Sequence, residues 1–469
     1  MTGTETARID PEYFNRAALQ AIKLINSGIT LGSLVKDGYR VVYETTHAID
    51  RLEGEAIGLP YFLQAADIST PFINTKSMVC VDKSDWYRYP KGRIKPSELL
   101  IEVKGKAEKI ALIPDDFPLN TLVTGTCFKL TTKEKEDQYF LAAYLICRYG
   151  QLLKDRLKTN LLISYLAKDD LYGLPIPAIS KPLKTAIKNI FEVCFDRQRQ
   201  STRLMEEAED CLLRALGLEN WQAPEPLSYI RSSRDAFAVG RFDAEYFHPA
   251  KIIAIATLDR LSDQTVSDLF NSIRELWQPT NDPADNLVRN YDLTDALSPF
   301  LDAAKEPVEP SIIESAKKKI RAGDLVVSRL RSYLKEIAIV QPGNNIPMIA
   351  STEFIVLRPK STSSLPVEAL MIYLRSPLPQ LVFKWSQDGS NHPRFDEKEL
   401  LRLPVPRVLI EQASDYVKAV RAMIAERERA TQLLDAAKRA VEIAIEDSEA
   451  AALAYCIDGL KEIPPNSFD

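Results

Sequence analysis

Two stretches of this chain concentrate guanidinium, ammonium and aromatic groups. The first runs Asp85-Trp86-Tyr87-Arg88-Tyr89-Pro90-Lys91-Gly92-Arg93-Ile94-Lys95 and continues through Lys104, Lys106 and Lys109. The second runs Lys317-Lys318-Lys319-Ile320-Arg321, then Arg329, Arg331, Tyr333 and Lys335. Lysine and arginine neutralise phosphates, while arginine, asparagine and glutamine address base edges in the major groove through paired hydrogen bonds. Candidate nucleic-acid contacts are therefore Tyr87, Arg88, Arg93, Lys95, Lys104 and Lys106 in the first stretch, and Lys319, Arg321, Arg329 and Arg331 in the second. A polar segment from Lys384 to Arg394 adds Lys384, Gln387, Asn391, His392 and Arg394. Its Gly, Ser and Asn content lets backbone N–H groups come close to a phosphate. The matching segment between Arg156 and Tyr165 adds Lys158 and Asn160. Any single lysine here is equally well explained as part of a solvated charged strand, so the clusters carry the reading.

Catalytic chemistry finds less support. No GxxxxGK[ST] loop is present, which excludes a phosphate-cradling motor of that type. A glycine-rich methyl-donor loop and an Asn-Pro-Pro-aromatic motif are also missing. Glu102-Val103-Lys104 has the Glu-x-Lys form of metal-dependent nucleases, with Asp82 or Asp85 as a second carboxylate. The matched residues later in the chain are Ser328-Arg329-Leu330, which could not do that work. Six cysteines are scattered without a CxxC, and His47, His248 and His392 form no HExxH. No catalytic residue, metal or cofactor is expected, and unpaired thiols suit a reducing cytoplasm. The start of the chain is polar and acidic, unlike a secretory signal, and no apolar run approaches the roughly 18 residues of a membrane span. The formal charge of −5 means that any attraction for a polyanion must be concentrated locally.

The elements that must position these residues occur twice. Arg8-Ile9-Asp10-Pro11-Glu12-Tyr13-Phe14 returns as Arg241-Phe242-Asp243-Ala244-Glu245-Tyr246-Phe247. Asp67-Ile68-Ser69 aligns with Asp292-Leu293-Thr294. The run from Ile94 to Ile101 aligns with that from Ile320 to Val327, Lys109–Ile113 with Glu336–Val340, and Leu174-Pro-Ile-Pro177 with Leu403-Pro-Val-Pro406. The order is kept and the separation stays near 230 residues, as a duplicated unit of about that size requires. Each copy reads as an aromatic opening, short β-branched strands near 99–103 and 122–130 or 325–327 and 354–357, a helix holding Tyr144 or Tyr373, a polar loop, and the Leu-Pro-x-Pro strand end. A long helix follows each. The first starts with Ser180 as N-cap and Pro182 in its first turn and stops at Gly217; Pro224 and Pro226 mark a linker.

Both long helices carry a heptad. Ile187, Ile190, Cys194, Arg197, Ser201, Leu204, Ala208, Cys211 and Ala215 become, 229 residues later, Tyr416, Ala419, Met423, Glu426, Ala430, Leu433, Ala437, Ala440 and Ala444. Such seams pack as a coiled coil. With a pseudo-two-fold axis the helices run antiparallel and Arg197 meets Glu426 near the crossing, a pair that a double-mutant cycle would detect. The expected class is α+β: two similar α/β domains separated by two long antiparallel coiled-coil helices, with a pseudo-two-fold internal repeat. The divisions are 1–179, a first domain; 180–217, a central helix; 218–240, a linker; 241–408, a second domain; and 409–469, a distal helix and tail. A helix of about 35 residues is roughly 50 Å long, enough to hold two readers more than one roughly 34 Å turn of B-DNA apart. The acidic run at 442–449 is a candidate docking surface.

The Arg-x-Asp-x-Glu-Tyr-Phe opening, the Gly-Asp-Leu-Val-Val-Ser-Arg run at 323–329 and the Leu-Pro-x-Pro helix entry resemble the specificity subunit of type I restriction–modification systems over nearly the whole chain. The first unit departs from that pattern at Ser97-Glu98-Leu-Leu-Ile-Glu-Val-Lys104. The resemblance implies two target-recognition domains, each reading one half of a split double-stranded DNA target. It also implies helices that dock two methyltransferase subunits and, in the full complex, motor-nuclease subunits, in a non-catalytic, cytoplasmic, phage-defence role with no membrane partner. Because the two units differ outside their framework, the target is expected to be asymmetric. Two other readings stay open at this stage: a nuclease with its own metal site at Glu102 and Lys104, and a stand-alone DNA-binding regulator using the helices for self-association.

Overall fold

The computed structural model describes residues 10–40, 51–52, 58–75, 78–159, 164–279, 286–389 and 392–461, with backbone alone at 51–52 and 458–461. The chain forms two compact units, residues 1–199 with 427–469 and residues 200–426.

In the first unit, Leu99–Glu102 is a fully buried strand lying between Cys127–Thr132 and Ile110–Leu112, with Val35–Arg40 on the far side of Cys127–Thr132. All pairings are antiparallel, with Leu99 opposite both Leu130 and Leu112. Side chains alternate across a strand, so Leu99 and Ile101 enter the main core of the unit while Leu100 enters a second core with Leu63, Ala111 and Val123. A second sheet runs Thr121–Val123, Tyr61–Leu63, Val79–Val81, Arg51–Leu52. The apolar run at 122–130 is thus two strands in different sheets, separated at Thr124-Gly125-Thr126. Helices Lys135–Ile146 and Arg148–Leu157 cover the main sheet. The Tyr144 hydroxyl donates to the Pro175 carbonyl at 2.6 Å, fixing the strand Pro175–Ile176 against Ile29–Thr30.

In the second unit, Leu325–Ser328 lies between Phe354–Pro359 and Ile337–Val340, flanked by Phe270–Ile273 and Phe300–Leu301. Leu325 faces both Leu357 and Ile339. Leu325 and Val327 enter one core and Val326 the other. A second sheet runs Leu276–Trp277, Lys317–Ile320, Met348–Ala350, Arg289–Tyr291. Helices Val367–Arg375 and Pro377–Lys384 follow, and the Tyr373 hydroxyl donates to the Pro404 carbonyl.

The long helices span Lys181–Ala215 and Ala413–Glu446. The first stops because Gly217 takes a left-handed conformation (φ +67°) and Leu218 N–H bonds back to the Leu213 carbonyl at 2.8 Å. Within the first unit, Ile187, Ile190 and Cys194 share a core with Ala430, Leu433, Ala437 and Ala440. Within the second, Ala208 and Leu212 share one with Tyr416, Val420 and Met423. Leu204 is half-buried there. Cys211, expected in the seam, is exposed, and fully buried Leu212 takes its place. A helix of 3.6 residues per turn drifts from a strict heptad, and the seam ends by stepping one residue along. Glu426 is buried and Arg197 half-buried.

The acidic run at 442–449 is engaged internally. Glu442 and Glu446 accept hydrogen bonds from Arg148, and Glu449 from the Ser180 amide at 3.1 Å. The final helix, Glu449–Lys461, buries Ala452 and Cys456 in the first core. All six cysteines are free thiols, five of them buried. Among the described residues no helix is long and apolar enough to cross a membrane.

Candidate nucleic-acid interface

A strand junction organises the basic segments of each unit. In the first, the chain leaving Leu99–Glu102 is joined to the end of the 159–165 loop: Leu166 N–H donates to Val103 O at 2.9 Å and Gly105 N–H to Ser164 O at 3.0 Å, while Thr159 N–H closes the loop on Tyr165 O at 3.1 Å. Lys104 and Tyr165 pair as an antiparallel bridge. In the second unit the same three bonds recur. Phe395 N–H donates to Arg329 O at 3.1 Å, Arg331 N–H to Pro393 O at 3.1 Å, and Asp388 N–H closes its loop on Arg394 O at 2.8 Å. Leu330 and Arg394 form the bridge. The residue after the bridge is left-handed in both, Gly105 at φ +97° and Arg331 at φ +48°. Glycine accepts this freely, whereas arginine there is strained.

The side chains mounted on the two junctions differ. On the second, Glu353 holds two arginines. Arg394 reaches it with Nε at 3.0 Å and Nη2 at 2.7 Å, and Arg329 with Nε at 3.0 Å. The hydrogen bonds from Arg394 and then from Arg329 hold the Glu353 carboxyl below the usual carboxylate range. Arg394 Nη1 also donates to the His392 carbonyl at 3.0 Å, and Arg331 meets His392 Nδ1 at 3.3 Å. On the first junction, Tyr165 stands where the second has Arg394. Its hydroxyl accepts from Arg40 Nη1 at 2.8 Å, Arg40 Nε donates to Gly125 O at 3.1 Å, and the guanidinium lies 4.8 Å from the Tyr165 ring.

The repeated opening supports the second loop. Arg241 forms a fork onto Asp243, at 2.7 and 2.6 Å, and donates to the carbonyls of Ser386 (3.1 Å) and Gln387 (3.0 Å). The Arg-x-Asp spacing thus keeps a guanidinium aimed at the loop base. Lys384 lies 4.8 Å from the Trp385 ring, which stacks at 3.8 Å on His248. His248 Nδ1 accepts from the Ala250 amide and caps Pro249–Arg260, a structural role. The amide nitrogen of Gln387 is buried with no hydrogen-bond partner among the described residues. Asn391 lies outside the described residues, as do Asn160 and His47.

Other candidates are engaged in structure to different degrees. Arg93 spends Nε and Nη2 on the Trp86 carbonyl, at 3.0 and 2.9 Å, with its guanidinium 3.5 Å above the Trp86 ring. It therefore satisfies a carbonyl in the last turn of the helix Lys83–Arg88. Tyr87 and Arg88 on that helix are exposed. Lys95 lies 3.6 Å from Asp37, and Lys158 pairs with Asp155. The triple lysine of the second basic stretch is not an open patch. Lys317–Ile320 is an interior strand, with Lys317 near Asp292 and Lys319 near Glu275, both at 3.5 Å. Arg321, Lys104 and Lys106 are exposed and form no ion pair among the described residues. Glu102 accepts the amides of Glu108 and Lys109, at 3.1 and 3.3 Å, so its carboxylate orders the loop carrying Lys104 and Lys106. Asp82 caps its own helix through Ser84 N–H at 2.7 Å. Among the described residues no group of three or more His, Cys, Asp or Glu side chains is placed to hold a metal ion.

No family model matches the chain. No curated protein matches it. Solved structures do, among them these three. A type I restriction–modification system S subunit from M. genitalium is 15% identical over 94% of this chain and 98% of its own, with a TM-score of 0.34. The HsdS subunit from Thermoanaerobacter tengcongensis is 12% identical over 90% and 96%, at 0.26. A chain from a structure of complex assembly and conformational transition of the type I R–M system is 15% identical over 92% and 96%, at 0.24. This chain is similar to type I S subunits.

Sequence reasoning missed Arg40 and Glu353. Arg40 lies 125 residues from Tyr165 and belongs to no cluster. Glu353 had one signal: Thr352-Glu353-Phe354 matches Thr126-Cys127-Phe128, and a carboxylate replacing a buried thiol at a framework position needs cations to satisfy it.

Proposed function

We propose that the chain is the non-catalytic DNA-specificity subunit of a type I restriction–modification complex, active in the cytoplasm against foreign DNA. Each unit is a target-recognition domain reading one half of an asymmetric, bipartite duplex target. The observation that carries this reading is the strand junction: one backbone framework occurs in each unit, mounted with different polar side chains. Duplicated frameworks with divergent heads suit two readers of different sequences. The long helices supply the second support. Cys194 donates to the Ala430 carbonyl and Ser201 to that of Met423. Each bond ties one long helix to the other within its own unit, which suits the paired helices of this reading. In this reading the paired helices set the unread gap, and the complex is completed by two methyltransferase subunits and by motor-nuclease subunits.

The roles of Glu102 and Asp82 in ordering backbone leave recognition as the chemistry the side chains suit, with the reaction carried by partners. The test is reconstitution. Purified chain added to the methyltransferase subunit should confer adenine methylation at one split sequence, and the methyltransferase alone should methylate nothing specific. Methylation without the chain, or unspecific methylation with it, would overturn the proposal.

A further inference from the structure

We infer that the strand junction is the base-reading point of each unit, with Arg40 and Tyr165 determining specificity in the first and Glu353, acting through Arg329 and Arg394, in the second. This rests on the DNA-specificity reading above and names the groups that carry it.

Three features of the geometry lead here. First, the backbone bonds at the two junctions are the same, so evolution of one framework has left only the side chains to differ. Second, the cations are oriented rather than loose. A guanidinium has five donors in a rigid plane. Arg329 is tied at Nε only, and both its terminal nitrogens are without a partner among the described residues. Arg40 is tied at Nε and Nη1, and its Nη2 has no partner among the described residues. Each is fixed at its stem and open at its end. Long cationic side chains normally lose considerable rotamer entropy on contact; here part of that loss is already incurred in folding. Third, Glu353 is an acceptor only and would repel a phosphate. Both its oxygens already accept from Arg394 and Arg329, so its effect on binding runs through them. It is a positioning residue.

The ligand chemistry follows from the donors. Groups that only donate select acceptor edges, of which guanine O6 and N7 in the major groove form the paired example. In the first unit the Tyr165 hydroxyl, which accepts from Arg40, keeps its own proton to donate.

Glu353→Gln separates positioning from a merely structural ion pair by the sign of its effect. It removes one negative charge beside DNA and frees two guanidiniums, so affinity for arbitrary duplex rises while base choice blurs. A residue needed only for folding would lower both. The experiment selects bound molecules from a pool of randomised duplexes with the full chain. Wild type should return a split motif. Glu353→Gln should blur one half, with the preferred base there losing about ten-fold of its preference, leave the other half unchanged, and bind the unselected pool at least as tightly. Arg40→Gln should blur the opposite half only. Arg329→Lys and Arg40→Lys, which keep charge and lose the fork, should blur the same halves as their partners and so serve if a glutamine variant does not fold. Unchanged motifs in the folded variants, blurring of both halves together, or parallel loss of affinity and motif would overturn the inference. A wild-type chain that selects no motif at all would instead overturn the specificity reading beneath it.

Discussion

Lys154 is completely buried in the first unit, and its ammonium donates to the carbonyls of Ala107 (3.1 Å) and Glu108 (3.3 Å) in the loop that carries Lys104 and Lys106. Loss of water, with Lys158 adding repulsion, brings its pKa down to about 7. Above about pH 7 the folded chain releases this proton, while the unfolded chain keeps it until about 10.4. The unfolded state therefore binds more protons in that window, and stability rises with pH by up to ~1.4 kcal/mol per unit. Hydrogen exchange across Arg148–Leu157 should slow from pH 7 to 10, after correction for the intrinsic rate, and Lys154→Met should remove that slope. Equal slopes would contradict this protonation. At this scale the sequence was legible where residues act in runs and opaque where they act in pairs. Arg394 stood out in a polar loop, but its partner Glu353 sits in an apolar strand entry. The run Lys317-Lys318-Lys319 read as an open basic patch because periodicity gave no sign that Asp292 and Glu275 face it.

At the scale of elements, the strands Leu99–Glu102 and Leu325–Ser328 and both long helices were readable because their burial follows simple periods. Leu325, Val326 and Val327 are apolar on both faces since both faces meet a core. The seam register was readable only as far as the heptad held. Leu212→Ala should cost about 2–5 kcal/mol, as a core deletion does, whereas Cys211→Ala should fall within about 0.5 kcal/mol of wild type. Urea unfolding measures both, and a reversed ranking would restore the strict heptad. The junction itself was invisible to sequence periodicity. It is made by single backbone bonds between segments some 60 residues apart, and only the alignment of one unit on the other hinted at it.

Across the molecule, a formal charge of −5 sets a chain that repels polyanions on average against two junctions that gather cations. Affinity for DNA should therefore be local, steep in salt and dependent on both units. Different groups on one framework make an asymmetric target the natural outcome, since identical heads would read identical half-sites. The most direct measurement is a map of methylated adenines in a genome whose host co-expresses the chain with the proposed methyltransferase partner. A single motif of two unlike halves at one fixed separation is expected. A palindromic motif, a continuous motif or halves at varying separations would contradict the account.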